Sequence, residues 1–353
     1  MQIGLVSPLY EAVPPRLYGG TERVVAYLAD ALVDLGHDVT LFSAADAATK
    51  ARLVPVRDQS IRLDPDPLKS DIAAHLVQLH EVRLAARKFD VIHFHFDLLH
   101  FPLFADMAHR TLTTLHGRLD LKDLPGAYRK WPGYPLVSIS DSQREPLSFA
   151  NWLGTVHHGL PKDLCRFSPR AEGGYLAFLG RISPEKRPDR AIALALTTGI
   201  PLKIAAKVDA VDRTYFRERI EPLMRNPLIE FIGEIGEQEK SEFLGNAIAL
   251  LFPIDWPEPF GLTMIEAMAC GTPVVAWNKG SVPEIIEDGV TGRIVASEAE
   301  AVDAVESVAG LDRQQIRAEF ERRFSSTIMA GNYLRLYRRL AEKNETAELD
   351  GVS

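Results

Sequence analysis

The stretch from Asp255 to Gly280, DWPEPFGLTMIEAMACGTPVVAWNKG, constrains this chain more than any other. Leu250 to Pro253 closes a buried strand ahead of it. Pro257 and Pro259 push the residues before them out of the α region, so the segment around Glu258 cannot be helical. Gly261 permits close approach of backbone to a ligand. Thr263 to Ala269 reads as a helix stopped by Gly271 and Pro273, and Pro273 to Ala276 begins a new strand. The result is a strand–loop–helix–strand unit whose helix N-terminus offers free amides at Gly261, Leu262 and Thr263, a partial positive charge suited to a phosphate. Glu258 and Glu266 would be repelled by phosphate but accept hydrogen bonds from paired hydroxyls. A phosphate between two polyols, as in a nucleotide sugar, fits both halves. The plainer alternative is that Glu266 favours the helix start and Glu258 is a solvated loop residue.

The rest of the chain alternates strand and helix, the pattern of an α/β protein with parallel sheets. Gln2 to Ser7 is a strand. The loop after it ends in Gly19-Gly20, Thr21 is the expected N-cap, and Val24, Leu28, Ala31, Leu32 and Leu35 recur at helical spacing. Val39 to Phe42 completes a β–α–β opening without the G-x-G-x-x-G of a dinucleotide site. Asp64 and Asp66 form a D-x-D pattern, but between prolines and away from a strand. Ile72 to Lys88 reads as an amphipathic helix with Ile72, Leu76, Leu79, Val82 and Leu84 inward. Asp90 to Phe96 is a strand placing His93 and His95 on one face. With His100 nearby, these are readable as zinc ligands, as cleft lining or as structure. Thr111 to Gly117 is a strand ending in His116, and parallel sheets bind ligands at that end. Ser140 to Arg144 either caps a helix or touches an acceptor. Pro161 to Pro169 reads as a linker. A second α/β pattern starts at Tyr175, with Gly180 to Lys186 after its first strand, Gly233 to Gly236 as a strand-end turn near a base and ribose, and a last helix from Ser325 to Glu342.

Several of these segments carry a resemblance. Glu258-x7-Glu266 with the run that follows it, Gly280 to Val295, and Phe178-Leu-Gly-Arg-Ile-Ser-Pro-Glu-Lys-Arg187 together resemble the signature of bacterial family-4 retaining glycosyltransferases of GT-B fold. The resemblance implies two Rossmann-like doubly wound domains facing a deep cleft. Residues 1–163 would bind acceptor and 164–324 the nucleotide sugar, with a C-terminal helix at about 325–343 crossing back to the first domain. It implies transfer of a hexose from a nucleoside-diphosphate sugar, UDP rather than GDP, to an unidentified acceptor hydroxyl. No metal or other cofactor is expected. Arg181 and Lys186 would stabilise the leaving diphosphate and His116 would lie against the hexose. Glu258 would grip the hexose hydroxyls and Glu266 the ribose. Gly19, Gly20, Phe260, Gly261, Leu262 and Thr263 would approach the diphosphate, and Gly233 and Ile235 the base. An epimerase of the same fold and a non-catalytic sugar-nucleotide binder are the alternatives.

Composition is compatible with all of this. A chain of 353 residues has room for two domains, and 46% apolar with 25% charged residues is ordinary for a globular protein. The net charge of −8 argues against nucleic-acid binding. No apolar run approaches the ~18 residues of a membrane span. Two cysteines, Cys165 and Cys270, without metal-ligand spacing point to a reducing, cytoplasmic setting. A peripheral contact with the inner membrane face through a local basic patch stays open.

Overall fold

The computed structural model describes residues 1–16, 19–66, 68 and 70–350, with side chains as far as Glu342. The chain divides into two compact units, Met1–Gly159 with Ser326–Ser353, and Leu160–Ser325. The expected break after 163 stands downstream of this one: Leu160 already bridges to Ser325 and its amide donates to the Phe324 carbonyl at 2.9 Å.

Unit 1 is built on a seven-stranded sheet of β1 (Gln2–Val6), β2 (Asp38–Ser43), β3 (Arg52–Pro55), β4 (Val91–Phe94), β5 (Thr111–Thr114), β6 (Leu136–Ser138) and β7 (Trp152–Thr155). Their order is β3-β2-β1-β4-β5-β6-β7, with every neighbouring pair parallel. The chain therefore reverses its direction of winding between β1 and β4, the place where doubly wound sheets open a crevice at their strand C-terminal ends. The helix Thr21–Asp34 follows β1. Its N-cap is Gly20 in helical conformation, with no side-chain cap, so Thr21 is the first helical residue rather than the cap.

The expected helix 72–88 forms as Asp71–Ala85 followed by a single 3-10 turn, but its buried face differs from the apolar stripe. Leu79 and Val82 point inward together with His75 and Gln78, while Ile72 and Leu84 are 57% and 68% exposed and Leu76 also faces outward. The reason is hydrogen bonding. Gln78 Nε2 donates to the carbonyls of Ser7 and Phe42 at 2.9 and 3.1 Å, and the Leu9 amide donates to His75 Nε2 at 3.3 Å. Backbone groups where β1 and β2 run out need partners once buried, and that need outweighs the burial of three aliphatic side chains. Asp64 is an ordinary ion-pair partner of Arg57 at 2.7 Å and also accepts from the Asp66 amide.

The last helix, Ser326–Asp350, belongs to unit 1. Tyr333 and Tyr337 are fully buried and lie against the ring of His93.

Unit 2 repeats the logic with six parallel strands: β8 (Leu176–Arg181), β9 (Leu202–Lys207), β10 (Ile229–Gly233), β11 (Ala249–Phe252), β12 (Val274–Trp277) and β13 (Gly292–Val295), in the order β10-β9-β8-β11-β12-β13. The winding reverses between β8 and β11, so the loops after these two strands flank the switch point. One core packs Leu176, Phe178, Ile204, Leu251 and Val275 of the sheet with Ile192 and Val305 of the covering helices. The segment read as a linker is fastened to this unit. The Arg317 guanidinium donates to the carbonyls of Cys165 at 3.0 Å and Ala269 at 2.5 Å, and both cysteines are free, buried and inside the same unit.

Candidate active site

The chemistry of unit 2 gathers where the loops after β8 and β11 meet. After Arg181 the chain makes a single turn, Pro184–Lys186, and then passes through Arg187 in the left-handed region (φ 51°) into the helix Pro188–Thr198. The Asp255 amide donates to the Glu185 carbonyl at 2.9 Å, which ties this turn to the Pro253–Gly261 loop. Across that junction Lys186 Nζ makes a close ion pair with Glu258 Oε2, both side chains being largely buried. The same ammonium lies 5.2 Å from the ring centroid of Trp256 and 5.7 Å from that of Phe252. Phe252 also walls the Gly261 turn, where a Cβ would stand 2.9 Å from its ring and 2.8 Å from Met264 Cε, at a φ of +83°. Only glycine fits there. The helix Leu262–Ala269 begins after this residue, so its first amides, those of Leu262 and Thr263, follow directly on the loop that carries Glu258, and Phe252 stands beside both Lys186 and the Gly261 turn.

Two features fix the Glu258 backbone. Gly280 packs so tightly that a Cβ would lie 2.4 Å from both Glu258 N and Glu258 O, at φ +55°. The Ser281 amide then donates to Glu258 O at 3.0 Å, and the Ser281 hydroxyl to Phe260 O at 2.7 Å. Phe260 itself is a core residue, its ring edge-on to Phe324, so only its backbone is available to a ligand.

Glu266 is 2% exposed and does not stand alone. Lys240 Nζ reaches its Oε1 at 2.7 Å and Glu237 at 3.4 Å. Lys240 escapes sequence reasoning because it lies on a different helix, Glu237–Gly245, with no motif spacing to Glu266. Gly233 ends β10 at φ +79°, and Ile235 is partly buried in the turn that leads to the Lys240 helix. Arg181 follows at the end of β8. Its described partners are carboxylates, Glu185 at 2.7 Å, Asp209 at 3.6 Å and Asp212 at 3.8 Å. The described contacts of Lys186 are Glu258, Trp256 and Phe252, the last of which also walls the Gly261 turn.

In unit 1 the strand-end imidazoles are neutral. His93 bonds to the hydroxyls of Tyr337 and Thr114 at 2.7 and 2.8 Å, and His100 to Thr113 at 2.9 Å while stacking on Phe94. His95 lies just beyond β4, rather than on a strand face with His93, and meets His116 at 3.0 Å. Burial lowers the pKa of each of these imidazoles well below the usual value, that of His116 to about 3. Among the described residues no group of three or more His, Cys, Asp or Glu side chains is arranged to hold a metal ion. Gly19 folds against Pro15, where a Cβ would meet the ring at 2.8 Å. Gly20, by contrast, has a helical φ and ψ open to any residue.

Comparison with known proteins gives a consistent picture. Residues 166–325 match the family described as glycosyl transferases group 1, and residues 18–143 match glycosyltransferase family 4. The phosphatidyl-myo-inositol mannosyltransferase of Mycolicibacterium smegmatis is 25% identical over all of this chain and 97% of that protein. The crystal structure of AviGT4, a glycosyltransferase involved in avilamycin A biosynthesis, superposes with a TM-score of 0.74 at 25% identity, covering 97% of this chain and 98% of that one. HepE from Anabaena, solved in complex with UDP and glucose, superposes with a TM-score of 0.71 at 18% identity over 98% of this chain and all of its own. With both sheets doubly wound and both halves matched, the chain belongs to the family-4 glycosyltransferases of GT-B fold.

Proposed function

We propose that the protein transfers a hexosyl group, with retention of anomeric configuration and without a metal, from a nucleoside-diphosphate sugar to an acceptor hydroxyl. UDP is favoured over GDP, in keeping with the UDP complex of HepE. The observation that carries this reading is the junction of Lys186, Glu258 and the Gly261 helix start.

When the sugar–phosphate bond breaks, negative charge grows on the departing diphosphate. A cation and preorganised amides aimed at that charge lower the barrier. Lys186 has three N–H donors and spends one on Glu258, which leaves others for phosphate. Glu258 Oε2 holds Lys186, and Oε1 accepts from a hexose hydroxyl. Glu266 takes ribose hydroxyls, with Lys240 balancing its buried charge. Arg181 supplies a second positive charge by leaving its carboxylate partners for the diphosphate. A leaving phosphate oxygen takes the acceptor proton on the same face, so no side-chain nucleophile is needed. His116 lies against the transferred sugar.

A reducing, cytoplasmic setting agrees with the two free cysteines. Among the described residues no helix is long and apolar enough to cross a membrane. The outward Ile72, Leu76 and Leu84, followed by exposed Arg87 and Lys88, favour peripheral contact with an anionic surface. Sedimentation with anionic but not zwitterionic vesicles tests that point.

The reaction is tested with a panel of UDP- and GDP-sugars. The true donor raises the unfolding midpoint most and, with acceptor present and EDTA added, gives a product of retained configuration by NMR. Isomerised sugar from donor alone would instead identify an epimerase.

A further inference from the structure

Within unit 2, β8 ends at Arg181 and β9 at Lys207, and the two residues are paired across the parallel ladder, so two cations leave adjacent strand ends on the same face. Asp209 lies two residues past Lys207 and serves both of them. Its Oδ1 is 3.1 Å from Lys207 Nζ and its Oδ2 is 3.6 Å from Arg181 Nη1. Arg181 also meets Glu185 at 2.7 Å through Nη2 and Asp212 at 3.8 Å through Nε. All five side chains are partly accessible, from 13% for Asp212 to 35% for Glu185.

Two cations and three carboxylates leave this cluster with a formal charge of −1. The carboxylates already crowd one another. Burial raises the Asp212 carboxyl above its ordinary value, Arg181 pulls it down, and Glu185 and Asp209 push it up again. Arg181 touches all three acids, so its guanidinium is their shared counter-ion. When it turns to a diphosphate, the acids lose that counter-ion, and the cost depends on what stays behind. Lys207 stays in contact with Asp209 and keeps one of the three neutralised. Without Lys207, Asp209 would hold Arg181 more strongly before the turn and stand uncompensated after it.

We infer that Lys207 is a positioning residue for donor binding: by neutralising Asp209 from the neighbouring strand end, it loosens the hold of the carboxylates on Arg181 and lets the guanidinium turn to the diphosphate. This rests on the reading above that Arg181 makes that turn. Lys207 acts on another side chain rather than on phosphate, unlike the role proposed for Lys186. The release of Arg181 is complete once the donor is bound, so Lys207 sets the affinity for donor and leaves the chemical step unchanged.

Calorimetry on the full chain with UDP, or with GDP should UDP not bind, tests this. Lys207→Met is expected to weaken nucleotide binding about fivefold, the scale of a partly exposed ion pair, and to raise the donor KM by the same factor with kcat unchanged. Lys207→Arg restores both. The deciding measurement is the double-mutant cycle with Asp209→Asn. Once Asp209 carries no charge, Lys207→Met has no further effect. An equal loss in both backgrounds overturns the inference, because Lys207 then acts on the nucleotide through its own charge. Lower thermal stability with unchanged affinity overturns it as well and makes the ion pair a structural one. Lys207→Gln serves the same cycle should Lys207→Met not fold. If Lys186→Met weakens nucleotide binding and Arg181→Met does not, the donor reading stands and this inference falls. Binding of neither nucleotide to the wild-type protein removes both.

Discussion

The two units share a doubly wound sheet and use opposite chemistry at its C-terminal edge. All ten histidines lie in unit 1 and none in unit 2. Unit 1 lines its strand ends chiefly with hydroxyls and with imidazoles that burial keeps uncharged. Unit 2 lines its own with lysine–carboxylate pairs, Lys186 with Glu258 and Lys240 with Glu266. Under the proposed function, the difference follows from what each would recognise. A departing diphosphate needs fixed positive charge, and carboxylates that turn away phosphate while accepting alcohols. A sugar hydroxyl in a buried place is met best by neutral donors and acceptors, which carry a smaller desolvation cost than ions.

The largest expected effect is a pH dependence confined to one unit. His93, His95, His100, His116 and His158 have folded pKa values below the ordinary value of about 6.5, that of His116 near 3. Below pH 6.5 the unfolded chain binds protons that the folded chain refuses, so stability is present above that pH and is lost as pH falls toward the folded values. Each such histidine acts in that direction, while Asp97 beside them, raised to about 6 by burial, opposes it in part as pH falls below that value. Denaturant unfolding at pH 7 and pH 5, read from variants that retain only Trp152 or only Trp277, should show unit 1 weakening several-fold more than unit 2. Equal weakening would break the contrast.

Next comes Lys186→Met, which keeps the apolar stem and removes the charge. A loss of about 100- to 1,000-fold in kcat is expected, the cost of one missing donor at a developing anion. A fall in stability with unchanged kcat would move Lys186 from the chemistry to the scaffold. Gly280→Ala forces a Cβ into the Glu258 backbone at positive φ and should cost ~2 kcal/mol of stability, with a matching rise in the donor Kd measured by calorimetry. The smallest effect belongs to Tyr337→Phe. Losing the hydroxyl that pairs with His93 Nδ1 should lower stability by ~1 kcal/mol with little change in KM. A large change in KM there would show that the neutral network reaches further into recognition than a supporting role allows.

The sequence was legible where local rules decide. Pro257, Pro259 and Gly261 leave the loop after β11 few conformations, and its reading as strand, loop and helix matches the structure. It was illegible where a contact joins distant segments. Nothing near Lys240 signals Glu266, twenty-six positions away on another helix. Nothing in the aliphatic stripe of the helix Asp71–Ala85 shows that Gln78 and His75 turn inward, because the carbonyls and amide that hold them belong to strand ends and loops folded elsewhere in the chain. His95 and His116 were visible as strand-end imidazoles, but the bond between them depends on β4 and β5 being neighbours.

The loop that carries Glu258 is anchored twice, by Asp255 to the Glu185 carbonyl on one side and by Ser281 and the close-packed Gly280 on the other. A segment clamped at both ends behaves as a die rather than a flap. Its backbone is set in place when the chain folds, so under the proposed function an arriving sugar would lose its own freedom but need not immobilise the loop. Selectivity at that carboxylate would then come from rejecting sugars whose hydroxyls fall in the wrong place, with no adaptation of the loop to accommodate them.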